Sequence, residues 1–425
     1  MIEITREYER ALEKINKRQQ LDNVKVISDV TDIMNNVRKN GDVALKEYTL
    51  KFDKIKIEKF EISKKQIKEA YEQIDNEFLQ IIRQSIKNVK DYHKRQLIKS
   101  WDYKKGDGIT LGQKITPLEN VGIYVPGGNA PLVSSVIMNA IPAKVAKVKN
   151  IIMCTPPPID SGRIVAAIEC GVDKIYQVGG AQAIFALAFG TDTIKKVDKI
   201  TGPGNIYVTN AKKMVYGYCD IDMIAGPSEI MILADSNANA KFIAADLLSQ
   251  AEHDTKAAAI LATTSKDIAN KVQEQIVEQS KYLKRSDIIN KSISDFGVIY
   301  INEDIDVLLN LVNSIAPEHL EILTQNSEYC INRVNNAGAI FIGEYSPEPL
   351  GDYFAGPNHT LPTGGTSRFY SPLGAYDFLK RTSIIKYDKS NLEKVYKDIA
   401  LFANKEQLDG HANAIKIRFG DKVDE

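Results

Sequence analysis

At 425 residues, with 44% apolar and 26% charged side chains, the chain has a globular composition and the length of two to three domains. Its 55 Lys and Arg are matched by 55 Asp and Glu, which argues against a nucleic-acid surface or an anionic membrane as partner. No apolar run approaches the roughly 18 residues of a membrane span, and the four scattered cysteines (Cys154, Cys170, Cys219, Cys330) show no CxxC spacing, so a cytoplasmic location with buried thiols is expected.

Residues 1–100 read as helices: Ile27, Val30, Ile33 and Met34 recur at helical spacing, and Gly41 punctuates them. From about 120 the texture becomes strand and helix in alternation. A β-like run at 121–125 stops at Pro126-Gly127-Gly128, a helix is expected over 132–148, a strand at 151–153, a helix at 163–170, a strand at 174–178 and a helix at 181–189. Further strands are expected at 221–225, 230–234, 257–262, 297–301, 320–323 and 338–342, with helices near 239–252, 266–282, 304–315 and 327–336. Short apolar strands separated by helices imply parallel sheets covered on both faces. The fold class is therefore α/β: two Rossmann-like, incomplete doubly wound sheet domains, with small helical N- and C-terminal extensions.

Four of the five histidines keep unusual company. His253 closes Ser249-Gln250-Ala251-Glu252-His253, three residues from Gln250 at a helix end, so the two share a face on which metal ligands can converge; a polar helix end would also explain them. His319 follows Glu318 just after Pro317, and a turn there would let both reach one pocket as two proton acceptors of different basicity. A surface ion pair is the plainer alternative. His359 lies in the Gly- and Pro-dense loop 346–365 with Glu348 and Asp352, and His411 in Asp409-Gly410-His411. His93, among Lys and Tyr, reads as a surface or packing residue.

The GxGxxG fingerprint is absent. Instead, glycine turns (Pro126-Gly127-Gly128, Val178-Gly179-Gly180-Ala181-Gln182, Thr201-Gly202-Pro203-Gly204-Asn205 and Ala225-Gly226-Pro227-Ser228) fall mostly at strand ends, where open α/β sheets bind ligands. Ordinary turn chemistry could produce any one of them. From the residues alone, an N/O-ligated metal pocket is plausible, zinc before iron, with the reaction open.

The segments VGIYVPGG, TGPGNIYV, DMIAGPSEI, DLLSQAEHD, APEHLEI, GDYFAGPNHTLPT and EQLDGHANAIKIR, in this order, resemble the histidinol dehydrogenase family from about 20 to 418. The resemblance implies oxidation of L-histidinol through L-histidinal to L-histidine by two NAD and water, closing histidine biosynthesis. It implies one zinc per subunit on Gln250, His253, Asp352 and His411, and an acid–base pair of Glu318 and His319. Ser228, Glu348, His359 and Glu406 match substrate-contacting positions, together with the zinc ligands and His319, and Ser134 and Ser135 are expected nearby. Tyr124, Gln182 and Asn205 match NAD-contacting positions.

The resemblance further implies a domain-exchanged homodimer with shared active sites. The expected layout is an N-terminal helical extension over 1–19, a first α/β domain from 20–122 and 230–372 carrying zinc and catalysis, a second over 123–229 contacting NAD, and a tail over 373–425 reaching the partner. Two rivals are a paralogous zinc- and NAD-dependent dehydrogenase of another small polar alcohol and a zinc metallohydrolase. The latter lacks HExxH spacing and leaves the glycine turns without a ligand.

Overall fold

The computed structural model describes residues 2–18, 24–127 and 131–420. Gly128, the last residue of the first glycine turn, lies outside them, as does the expected domain edge near residue 20.

The chain begins with β1 (Glu3–Thr5), α1 (Tyr8–Asn16), α2 (Val24–Tyr48, kinked at Gly41), α3 (Lys64–Gln73) and α4 (Asn76–Lys94), and continues into β2 (Trp101–Lys104) and β3 (Ile109–Pro117). One α/β stretch then follows: β4 (Asn120–Tyr124), α5 (Val133–Val145), β5 (Asn150–Thr155), α6 (Ser161–Glu169), β6 (Lys174–Gln177), α7 (Gly180–Phe189), β7 (Lys199–Thr201), α8 (Ile206–Val215) and β8 (Asp220–Ile221). The strands form a parallel sheet in the order β6-β5-β4-β7-β8. With right-handed crossovers this order puts α5 and α6 on one face and α7 and α8 on the other, and makes the junction of β4 and β7 the topological switch point. At that junction Gly202 adopts φ +116°, and a Cβ there would stand 2.0 Å from the Tyr124 carbonyl oxygen, so glycine is required.

The second sheet is built from β9 (Glu229–Ala234), α9 (Ala240–Ala251), β10 (Ala258–Thr263), α10 (Lys266–Ser280), α11 (Ser286–Phe296), β11 (Val298–Ile301), α12 (Ile305–Ile315), β12 (His319–Leu323), α13 (Ser327–Ile331), β13 (Ala339–Ile342) and α14 (Glu348–Tyr353). Its order is β1-β11-β10-β9-β12-β13, parallel throughout. The central strands β9, β10 and β12 are buried at every residue, which is why they read as apolar runs rather than as alternation.

Several expectations change. The N-terminal segment opens with a strand, β1, on the edge of the second sheet, too short at three residues to show a period. The strand expected over 221–225 stops at Ile221 and the helix expected over 327–336 at Ile331. Residues 225–228 therefore lead into β9 rather than close a strand. Helix α11, strand β7 and helix α8 answer to no expected element. Helix α2, grouped in the sequence with the catalytic sheet, packs through Val26, Val30, Ile33 and Val37 into the core beneath α7 and α8.

A separate compact unit combines 98–117 with 379–425. Within it, β14 (Leu379–Tyr387) pairs antiparallel with β3, and β3 with β2, followed by α15 (Lys389–Glu393), α16 (Tyr396–Lys405) and α17 (Asp409–Lys416). Among the described residues no helix is long and apolar enough to cross a membrane.

Candidate active site

Glu318 and His319 stand at the amino end of β12, beside the amino end of β9. Helix α12 ends on Ala316 in the left-handed conformation (φ 54°), and Pro317 prevents its continuation. The carbonyls of Pro317 and Glu318 accept from the N–H groups of Gly338 and Ala339 at 2.8 and 2.9 Å; a Cβ on Gly338 would meet the Glu318 oxygen at 2.5 Å. This clasp turns Glu318 back beside its neighbour, with Oε2 3.8 Å from His319 Nδ1.

One residue of β9 then fixes both side chains. The Glu229 N–H donates to Glu318 Oε2 at 2.9 Å, and His319 Nδ1 donates to the Glu229 carbonyl at 3.1 Å. Because that partner can only accept, neutral His319 carries its proton on Nδ1 and its lone pair on Nε2. Nε2 is buried with no hydrogen-bond partner and lies 3.8 Å from Asp352 Oδ1. Glu229 is itself anchored by Arg18, whose guanidinium contacts its buried carboxylate and donates to the Ser228 and Pro227 carbonyls at 3.3 Å.

The metal-type residues gather at the same end of the sheet. Gln250, the penultimate residue of α9, is buried and its Oε1 has no partner. Ligand atoms of His253, Glu348 and Asp352 lie within 4.8 Å of one another. Glu348 and Asp352 are four apart on α14 and so share a face. Glu348 is positioned by Ser249 Oγ, which donates to its Oε2 at 3.1 Å, and by buried Glu321, which accepts its backbone N–H at 2.9 Å. His359 Nδ1 donates to the Asp352 carbonyl at 3.1 Å. One imidazole and two carboxylates within 4.8 Å of one another, with an unpartnered buried amide oxygen three residues before that imidazole in the chain, suit a divalent cation with N/O preferences.

The electrostatics agree with the crowding of acids. Burial pushes Glu318 up to about 7, against the pull of His319. Burial alone would depress His319, yet the charges of Glu318, Asp352 and Glu348 raise it to about 10. Burial and the Asp352 charge lift Glu348 to about 8. Desolvation opposes ionisation of Asp352, but His319 and His359 hold it below the usual carboxylate range. His253 is exposed, although surrounding protein still lowers its pKa through desolvation.

Ser228 immediately precedes β9, and Ser134 and Ser135 open α5. Asn358 ties the 346–365 loop to α5, its amide donating to the Met138 carbonyl at 2.7 Å. His93 is a packing residue: buried on α4, it donates from Nδ1 to the Val89 carbonyl at 2.7 Å. Glu406 and His411 belong to the second compact unit, at the end of α16 and in α17. Sequence reasoning missed Arg18, Glu229 and Glu321; a glutamate opening the otherwise apolar β9 and one between the leucine and isoleucine of β12 were the available signals for the last two.

At the carboxyl ends of the first sheet lies a cavity of about 870 Å³ whose lining includes Tyr124, Gln182 and Asn205. The Tyr124 hydroxyl accepts from the Gly180 N–H at 3.0 Å. Asn205 caps α8, its Oδ1 accepting from Tyr207 and Val208 at 3.0 and 3.2 Å. Gln182 is buried in the first turn of α7 with Oε1 unpartnered. Three residues distant in sequence thus converge on one cavity at the switch point.

The family profile of histidinol dehydrogenase matches residues 16–419. Histidinol dehydrogenase from Clostridium acetobutylicum is 52% identical over 415 residues, 97% of this chain and 96% of that protein. The Bacillus subtilis protein of the same name is 52% identical over 393 residues, 92% of each chain. The crystal structure of histidinol dehydrogenase from Elizabethkingia anophelis superposes with a TM-score of 0.92 at 36% identity, covering 98% of both chains.

Proposed function

The chain belongs to the histidinol dehydrogenase family of NAD-dependent oxidoreductases in histidine biosynthesis, and from this we propose that it takes L-histidinol through L-histidinal to L-histidine at the amino end of the second sheet. The observation that carries the reading is the juxtaposition of a buried acid–base pair, Glu318 and His319, with the half-buried Asp352, 3.8 Å from His319 Nε2 and clustered with His253 and Glu348. His319, its Nδ1 tied to a backbone carbonyl, would take the proton of the substrate hydroxyl on Nε2 once a bound cation offsets the carboxylates that raise its pKa. Glu318, pushed to about 7 and braced by a backbone N–H, is suited to take a proton from the water that adds to the aldehyde. NAD bound in the cavity of Tyr124, Gln182 and Asn205 would accept hydride in each of the two oxidations.

Gln250, His253, Asp352 and His411 would hold one zinc per subunit, with Glu348 at the same cluster. Zinc there would supply a fixed charge that grips substrate nitrogens and offsets the carboxylate field on His319. Ser228, Glu348, His359 and Glu406 would contact the substrate, with Ser134 and Ser135 close by.

We also propose a cytoplasmic homodimer in which a second copy supplies Glu406 and His411. The compact unit of 98–117 and 379–425 supports this: its buried apolar cluster consists of Ala400, Ala403 and Ala412, while Ile385, Phe402 and Ile417 are 75%, 69% and 63% exposed. Such a unit needs a further surface to cover it.

The test is turnover of L-histidinol against a panel of small polar alcohols, with metal analysis. Two NADH per L-histidinol, lost on chelation and restored by zinc, are expected. Turnover of another alcohol alone would overturn the substrate, and hydrolysis without NADH the reaction class.

A further inference from the structure

One wall of the switch-point cavity carries none of Tyr124, Gln182 and Asn205. It is built by α2 and by the π-helical turn Thr49–Asp53, and it carries three carboxylates, Asp29, Asp32 and Asp53. Asp53 is half-buried, and its Oδ2 is shielded from solvent with no hydrogen-bond partner. A buried acceptor without a donor is costly unless a ligand supplies one. Gln182 Oε1, buried on another wall of the same cavity, is unpartnered too.

The cations of the lining do not offset the acids. Arg163 is already engaged: it contacts Asp160 and donates to Thr155 Oγ1 at 2.9 Å and to the Pro126 carbonyl at 3.2 Å. Lys51 is exposed, its Nζ 5.4 Å from the centre of the Phe52 ring. This wall therefore offers acceptors to hydroxyl groups and repels added phosphate. An acidic side chain accepting from the adenosine ribose is a general device of NAD sites, whereas NADP sites place a cation there.

The fold indicates which end of the dinucleotide meets the wall. The segment that carries Asp352 on α14 and His359 just after it is tied to α5 through Asn358 and Met138. Helix α2 packs on the opposite face of the sheet, against α7 and α8. The reacting end thus belongs on the α5 side and the adenosine end on the α2 side.

We propose that Asp53, with Asp29 and Asp32 beside it, accepts the adenosine ribose hydroxyls of NAD and excludes the 2′-phosphate of NADP, making this wall the determinant of cofactor choice. The inference rests on the reading that NAD occupies this cavity.

The probes are ADP-ribose and its 2′-phosphorylated form, titrated calorimetrically into the intact enzyme, alongside kcat/KM with NAD and NADP. Wild type should prefer the unphosphorylated ligand. Asp53→Asn should raise KM for NAD and narrow both preferences by on the order of 10–100-fold, because a like-charge clash has been removed. Asp29→Asn/Asp32→Asn, on the helix surface, should narrow them in the same direction, and it serves if the Asp53 variant folds poorly. Gln182→Ala should weaken both probes alike. Unchanged preferences in the aspartate variants, with Gln182→Ala weakened, would overturn the acidic-wall proposal alone. Unchanged binding in all three would overturn the placement of NAD as well.

Discussion

Removing Arg18 should expose how the acid–base pair is held. Arg18 and Glu229 form an ion pair with both side chains 1% exposed, and the other Glu229 oxygen, Oε1, accepts from the Gly364 N–H at 3.0 Å. Arg18→Met leaves that carboxylate buried without its counter-charge, a loss of about 3–5 kcal/mol. For a chain of 425 residues this corresponds to roughly a 3–10 °C fall in Tm, depending on how much unfolds cooperatively. The deficit should depend on pH with a defined sign. Burial already raises the Glu229 pKa and Arg18 opposes that rise; without Arg18 the folded value climbs further above the unfolded one. The folded variant then binds more protons than the unfolded chain, so its penalty is full above the folded pKa and fades as pH falls toward the unfolded value. Thermal scans by circular dichroism from pH 8 to pH 5 should show the gap to wild type narrowing. Arg18→Met/Glu229→Gln should recover most of the loss. A single-variant shift under about 1 °C, or a double variant no better than the single, would refute the reasoning.

His319→Asn should retain zinc and lower kcat by roughly 10²–10⁴-fold, the range for a positioned base; zinc content by elemental analysis alongside steady-state rates checks it. Glu318→Gln and His411→Asn should each be inactive alone, yet mixing them under subunit exchange should restore part of the activity, because some hybrid dimers would contain one intact site. No recovery despite confirmed exchange would count against a tail shared between subunits.

Much of the architecture was legible because the central strands are short and wholly buried, so they stand out as apolar runs between helices, as in 230–234 and 258–262. The Glu318–His319 pair was legible because its members are adjacent and a proline accounts for the turn. Elements that pair through exposed or very short segments were not: β2 is exposed at all four residues, and β1 gains its partner β11 from almost 300 residues away. The packing of α2 against α7 and α8, which brings Asp53 to the same cavity as Gln182, is likewise a property of tertiary contacts alone. Glycine turns at strand ends pointed to the carboxyl end of the first sheet, where the cavity lies, but Glu318, His319 and Ser228 sit at the amino ends of the second, where that rule does not point.

Anomalous diffraction at the zinc edge, from crystals grown with L-histidinol, tests the central claim most directly. One peak per subunit is expected within coordination distance of Gln250 Oε1, His253, Asp352 and a His411, adjoining His319. A peak bounded by other side chains, or substrate bound away from Glu318 and His319, would contradict it.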